Sequence, residues 1–211
     1  MNILFFIASG IAAYLICSVN PALIITEIKL KEDIREIGSG NAGMTNVLRA
    51  AGKKAAALTL AGDIFKCFIA VAAARLVYFY LFKQPYAWYL DYITGYAAVA
   101  GHLFPLYYGF KGGKGVAVCA CLFLLINPFA FAAAFIVFIA AVILSKMISA
   151  ASVISAALYP AIHGIILYYG GSSDEKTVWR IILTAGLSLI IIIMHRGNIK
   201  RILSGTERKI K

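Results

Sequence analysis

Seven apolar stretches, most of them as long as a membrane is thick, fix what this chain can fold into. A helix that crosses a bilayer takes about 20 apolar residues, and runs of that character lie at roughly 3–25, 55–82, 92–109, 115–126, 128–145, 150–169 and 178–195. With 211 residues, a mean hydropathy of +0.87 and 14% charged side chains, the chain has more apolar surface than one soluble core can hide. The fold class that follows is all-α: a polytopic integral membrane protein with seven transmembrane helices, forming a single domain over residues 1–211. The fourth stretch is short. At about 1.5 Å per residue it reaches only about 18 Å before Asn127-Pro128 ends it, so it is expected to start below the membrane surface, inside protein. Asn2 is the one polar residue ahead of the first run, which lacks the basic segment of a signal peptide and is expected to stay in the mature protein.

Seven crossings put the termini on opposite sides, and the basic residues say which is which. Lys29, Lys31, Arg35, Arg49, Lys53, Lys54, Lys111, Lys114, Lys146, Arg196, Lys200, Arg201, Arg208, Lys209 and Lys211 fall on one side, whereas the other has Lys83, Lys176 and Arg180. The N-terminus is therefore expected outside and the C-terminus in the cytoplasm. The net charge of +11 reflects this asymmetry and attraction to anionic lipid. With the basic residues scattered over short loops and no soluble domain to carry a groove, no nucleic-acid partner is expected. Cys17, Cys67, Cys119 and Cys121 all lie in apolar runs and read as small hydrophobes, with no disulfide or metal framework.

The unusual polar sequence gathers on the cytoplasmic side in three blocks. In the first, GSGNAGMTNVLR (38–49), glycines let backbone amides approach an anion, Ser39, Asn41, Thr45 and Asn46 offer hydrogen bonds, and Arg49 can grip a phosphate with two parallel bonds. The same residue types also make turns and helix caps, so a plain cap for the second span stays open. In the second, FKGGKG (110–115), Lys111 and Lys114 frame Gly112 and Gly113, and Gly115 leads into the short fourth span, whose start adds free N–H groups. It is not a Walker A motif, and by itself it is also what a flexible basic loop looks like. In the third, HRGNIKRILSGTERK (195–209), His195 and Asn198 share a helical face, and Glu207 is a candidate partner for a nearby arginine. Irregular backbone near membrane depth has to line a cavity or be buried in protein, so the three blocks together point to one pocket.

Within the second span Asp63 and Lys66 are three apart and can pair, as a functional carboxylate or as a structural clamp under that pocket. A Ser-His-Asp hydrolase needs a base oriented by a carboxylate, and neither His102 nor His195 has an obvious one in the sequence. His102 also lacks the aspartate of the HX4D acyltransferases, since Tyr107 occupies that position. The dispersed histidines and aspartates do not suggest a metal site. What remains is chemistry performed by binding phosphates and positioning reactants.

The order GSGNAGMTNVLRAAGK, DIFK, GHLFPLYYGFKGGKGVA and HRGNIKRILSGTE, spread from about Ser18 to Lys209, resembles the bacterial acyl-phosphate:glycerol-3-phosphate acyltransferases, the PlsY family. The resemblance implies an enzyme of the bacterial cytoplasmic membrane that moves a fatty acyl group from acyl phosphate to the 1-hydroxyl of sn-glycerol 3-phosphate. Lysophosphatidic acid and phosphate are the products, with no cofactor and no metal. It assigns essential roles to Ser39 and Arg49, binding of the glycerol 3-phosphate phosphate to Gly112, Gly113, Gly115, Lys111 and Lys114, activity to His195 and Asn198, and structural integrity to Glu207. Its partners are glycerol 3-phosphate, acyl phosphate, the lipid bilayer and, in transient contact with the basic face, an enzyme that makes acyl phosphate. Four positions depart from the family pattern: Met44 for alanine, Cys67 for glycine, Val118 for threonine, and a proline shifted one place in Asn20-Pro21. The rival class is a small-anion transporter, which would show midplane polar sites and an internal repeat. No repeat is visible. A noncatalytic lipid-binding scaffold leaves the order of the motifs unexplained.

Overall fold

A computed structural model describes residues 3–83, 87–171 and 174–210. Every regular element in it is helical: α1 (Ile3–Ser18), α2 (Pro21–Leu30), α3 (Met44–Phe82), α4 (Trp88–Leu103), α5 (Val116–Ile126), α6 (Pro128–Ser145), α7 (Ile148–Tyr169), α8 (Glu175–Met194) and α9 (Arg196–Leu203), with a 3₁₀ turn at Leu106–Tyr108. Among the described residues, five segments are long and apolar enough to cross a membrane: Ile3–Leu30, α3, α6, α7 and α8.

The helix boundaries differ from the apolar runs for local reasons. The first run breaks at Val19, where the Asn20 side chain accepts from the Leu23 amide and Pro21 takes the first helical position, so α2 starts afresh. The expected span at 92–109 stops as helix at Leu103, because Pro105 has no amide to continue the ladder. The second span begins eleven residues early, at Met44 rather than 55. Gly52, with φ 83 and ψ 179, breaks its 39 residues into a short helix and a long one. Lys29 donates to the Ala51 carbonyl next to this kink, at 2.5 Å.

The chain divides into two compact units, Met1–Leu122 and Phe123–Lys211. In unit 1, α1 packs on α3 and α4, and α2 on α3. Its core at the loop end joins Ala22 and Leu23 of α2, Val47, Ala51 and Ala55 of α3, and Ile34 and Ala42 from the segment between them, with Tyr108 packed alongside. Two buried apolar plugs, Ile34 and Ala42, thus anchor both flanks of the glycine-rich tip at Gly38–Gly40. The opposite end closes with Phe6, Ala74, Ala87 and Leu90, flanked by Phe5, Tyr78 and Tyr89. In unit 2, α7 packs between α6 and α8 and touches α9. Tyr159 of α7 lies flat on Phe123 with ring centroids 3.8 Å apart.

Candidate active site

In the first block a single side chain sets the backbone. Asn46 sits in the first turn of α3, 1% exposed. Its Oδ1 accepts from the Ser39 amide at 3.0 Å, and its Nδ2 donates to the carbonyls of Ile34 at 3.0 Å and Ile37 at 2.8 Å. This corrects the expectation that Asn46 offers its amide to a phosphate: the carboxamide is committed to the loop. Gly38 and Gly40, at φ 65 and 70, supply the left-handed turns the clamp needs. Ser39 and Arg49 are exposed, and Asn41 and Thr45 half-buried. Among the described residues no ion pair involves Arg49.

The second block is built from backbone. The Gly112 amide donates to the Leu103 carbonyl at 3.1 Å and that of Gly113 to the His102 carbonyl at 3.2 Å, so the loop folds back along the end of α4. These two N–H groups were expected to cradle an anion; here they are used internally, and the glycines are required for space. A Cβ on Gly112 would overlap the His102 carbonyl, and one on Gly113 would overlap the His102 ring while lying 2.9 Å from the Ala42 carbonyl. Gly115, at φ 81, turns the chain into α5, and its carbonyl accepts from the Cys119 amide. Lys111 is exposed and Lys114 half-buried.

Arg35, which the sequence reading missed, ties the two blocks together. Its Nε and Nη2 grip both Asp33 oxygens at 2.6–3.0 Å, while Nη1 donates to the carbonyls of Tyr108 at 2.8 Å and Lys111 at 3.4 Å. Those hydrogen bonds from Arg35, opposed by slight burial, hold the Asp33 carboxyl below its ordinary range. An aspartate two residues before an arginine, in a chain with nine acidic residues, was the available signal.

Beneath these loops Lys66 Nζ lies 2.9 Å from Asp63 Oδ1, which places the pair as expected. The same carboxylate is 3.3 Å from His102 Nδ1. The sequence shows no obvious carboxylate for His102, and the structure places Asp63 beside it: the two residues are far apart in sequence and meet because α3 and α4 pack together. Cys67 Sγ and the Val118 carbonyl are 3.4 Å apart, so two of the four departures from the family pattern are neighbours. Nothing in the structure explains Met44, half-buried at the start of α3.

In unit 2 the third block forms a knot. His195 is the hinge residue between α8 and α9, and its Nδ1 lies 2.8 Å from the Ile191 carbonyl, so Nδ1 carries the proton. Glu207 accepts from Ser149 Oγ, Asn198 Nδ2 and Arg201 Nε, each at 2.7 Å. His195 and Asn198 are 4% and 7% exposed, not surface groups. Burial pushes the Glu207 carboxyl up, but its three donors outweigh that and leave it below its ordinary value. Among the described residues the four cysteines are free and buried, and no group of three or more His, Cys, Asp or Glu could hold a metal ion.

The family model for glycerol-3-phosphate acyltransferase matches residues 7–205. The chain belongs to this family. It is 40% identical over 203 residues to the glycerol-3-phosphate acyltransferase of Listeria monocytogenes serovar 1/2a, covering 96% of this chain and 95% of that one. To the enzyme of the same name from Clostridioides difficile strain 630 it is 38% identical over 214 residues, covering 100% and 98%. Among solved structures it resembles PlsY (YgiH), an integral membrane glycerol 3-phosphate acyltransferase, in its glycerol 3-phosphate form. There the TM-score is 0.81 and the identity 31%, over 98% of this chain and 96% of that one. The lysophosphatidic acid form of PlsY matches with TM-score 0.78, also at 31% identity, over 98% and 95%.

Proposed function

We propose that the protein transfers a fatty acyl group from acyl phosphate to the 1-hydroxyl of sn-glycerol 3-phosphate, releasing lysophosphatidic acid and phosphate. Family membership over residues 7–205 carries this reading. The glycerol-3-phosphate acyltransferases across which it is shared take the place of the transporter alternative. In unit 1 the arrangement suits two anionic substrates: Arg35 binds two glycine loops to each other, and Ser39, Arg49 and Lys111 are exposed on them.

The chemistry asks for positioning. Acyl phosphate is a mixed anhydride with a good leaving group, so no enzyme nucleophile is required. The barrier lies in bringing two anions together and aligning a hydroxyl with a carbonyl. Arg49 and the two lysines neutralise phosphate charge, while Ser39, Asn41 and Thr45 donate hydrogen bonds. The N–H groups opening α5 succeed the Gly112 and Gly113 amides as anion donors, since the latter face carbonyls. Attack by the hydroxyl oxygen forms the ester bond as the anhydride C–O bond breaks, and the departing phosphate takes the hydroxyl proton. The family resemblance assigns activity to His195 and Asn198, and Glu207 accepts from the Asn198 amide. Acyl transfer that persists in a His195→Ala, Asn198→Ala double variant would remove both from the transfer step.

Seven apolar runs support seven crossings, and the lysine and arginine asymmetry supports an N-terminus outside, a C-terminus in the cytoplasm and a site facing the cytoplasm of a bacterial cell membrane. The basic face suits transient docking of an enzyme that supplies acyl phosphate. The deciding experiment supplies the detergent-purified chain with glycerol 3-phosphate and palmitoyl phosphate, without added metal or CoA. Lysophosphatidic acid is the expected product, and its absence from a well-folded sample refutes the reading.

A further inference from the structure

One buried cluster in unit 1 has no part in the chemistry above. An ammonium has three donors and no acceptor, and Lys66 Nζ has three neighbours: the Val19 carbonyl at 2.7 Å, Asp63 Oδ1 at 2.9 Å and His102 Nδ1 at 3.0 Å. The Val19 carbonyl accepts from the ammonium and the Asp63 carboxylate is its ion-pair partner; His102 Nδ1 accepts from it as well only if it carries no proton, which puts the ring proton on Nε2. The 3.3 Å approach of Asp63 to His102 is then that of a carboxylate and an unprotonated ring nitrogen placed beside one ammonium. The three side chains are 3–7% exposed. Removing an ammonium and a carboxylate from water costs several kcal/mol per ion, and a packed apolar set of the same volume is often at least as stable. Stability alone therefore does not account for the cluster.

Direction does. Val19 is where α1 gives way to α2, Asp63 and Lys66 lie on α3, and His102 is the next-to-last residue of α4. Bonded at Nδ1, the ring cannot turn, and its Nε2 edge lies against Gly113 so closely that a Cβ there would overlap it. The Ala42 carbonyl of the first loop lies 2.9 Å from that same Cβ position. Gly113 thus lies close to both the imidazole and the first glycine loop, with Lys111 two residues before it and Lys114 next to it.

We propose that His102, locked by Lys66 and Asp63, is a positioning residue that seats the second glycine loop against the first and so sets the affinity for the phosphate of glycerol 3-phosphate. This rests on the acyltransferase reading above. The test is steady-state kinetics of the detergent-purified full chain with each substrate varied in turn. His102→Gln is expected to raise KM for glycerol 3-phosphate about tenfold, to change kcat less than about threefold and to leave KM for palmitoyl phosphate unchanged. A merely structural role would instead lower the melting temperature and the active fraction without moving either KM. Gly113→Ala breaks the same contact from the other side and should give the same split. In the double variant the two losses should not multiply.

A folded His102→Gln enzyme with the wild-type KM for glycerol 3-phosphate overturns the proposal, and so do losses that multiply. Should His102→Gln fail to fold, His102→Asn, which keeps an acceptor for Lys66 near the Nδ1 position but lacks the Nε2 edge, decides in its place: a raised KM supports the seat and a wild-type KM overturns it. A wild-type enzyme that makes no lysophosphatidic acid refutes the acyltransferase reading instead. Calorimetric titration of glycerol 3-phosphate into wild type and Gly113→Ala then tests the seat by itself, and equal affinities overturn it.

Discussion

The glycine loops of unit 1 and the α8–α9 turn of unit 2 carry motifs of similar composition, yet they use their polar groups in opposite ways. In unit 1 the backbone is held by a neutral carboxamide, by carbonyls and by Arg35, and Arg49 and Lys111 are left exposed. In unit 2 the carboxylate of Glu207 is enclosed by three donors, one of them the amide of Asn198. The difference separates two jobs that sequence motifs mix together. Where charge stands exposed on a rigid loop, it can meet a ligand; where it is satisfied internally, it holds the fold. Substitutions in unit 1 should therefore move kinetic constants, and those at Glu207 should move stability.

The largest expected effect tests the first half of that contrast. Arg49→Ala removes a cation that can make two charge-assisted bonds at about 1.5–3 kcal/mol each, so kcat/KM should fall by at least about 100-fold. The melting temperature should hold, because Arg49 is exposed. Unchanged kinetics would put Arg49 outside the site and break the comparison. Next comes Asn46→Asp, which turns a donor toward the Ile34 and Ile37 carbonyls into a buried acceptor. An unpaired buried group of that kind costs upward of about 2 kcal/mol. Both thermal stability and kcat/KM should drop, with Asn46→Ala milder on both. If only kinetics moved, Asn46 would be a ligand after all and not a clamp.

A smaller effect is expected at Arg35. Lysine keeps the charge but cannot grip Asp33 with two bonds and reach the Tyr108 carbonyl at once. Arg35→Lys should raise KM for glycerol 3-phosphate a few-fold, to about tenfold at most, with kcat nearly intact. Equal loss in kcat and KM for both substrates would show that Arg35 does more than join the loops.

How far the sequence could be read follows from where each signal lies. Apolar length located α6 at its observed bounds, 128–145, because proline and lysine punctuate both ends. The early start of α3 was hidden because Gly38–Lys54 is polar, and polarity reads as loop even where the segment is helical up to Gly52. Residue types in the motifs named the candidates Ser39, Arg49 and Lys111, whose side chains are exposed. The same types misled at Asn46, Gly112 and Gly113, where hydrogen-bonding capacity is visible in sequence but its recipient is not. His102 and Asp63 are 39 positions apart, and Arg35 and Tyr108 are 73 apart. No spacing rule links such pairs; helix packing does.

The smallest kinetic effect should come from Glu207, and it probes the other half of the contrast. Its carboxyl is held below its ordinary value of 4.5 by Ser149, Asn198 and Arg201, against the opposing effect of burial. A depressed acid stabilises the fold fully above its unfolded value, and that contribution disappears as pH falls through the lower folded value. Unit 2 should therefore melt at constant temperature between about pH 7 and pH 5, and progressively earlier below about pH 4.5. Glu207→Gln keeps the shape and most acceptor capacity at Oε1, removes the charge facing Arg201, and should flatten that acid limb. At pH 7 it should lower the melting temperature by a few degrees, for a loss of about 1–2 kcal/mol. The kinetic constants of the folded fraction should stay within about twofold of wild type. An unchanged acid limb in the glutamine variant would show that another carboxylate governs it. A loss of kcat at full stability would place Glu207 with the exposed charges of unit 1 and dissolve the distinction between the two regions.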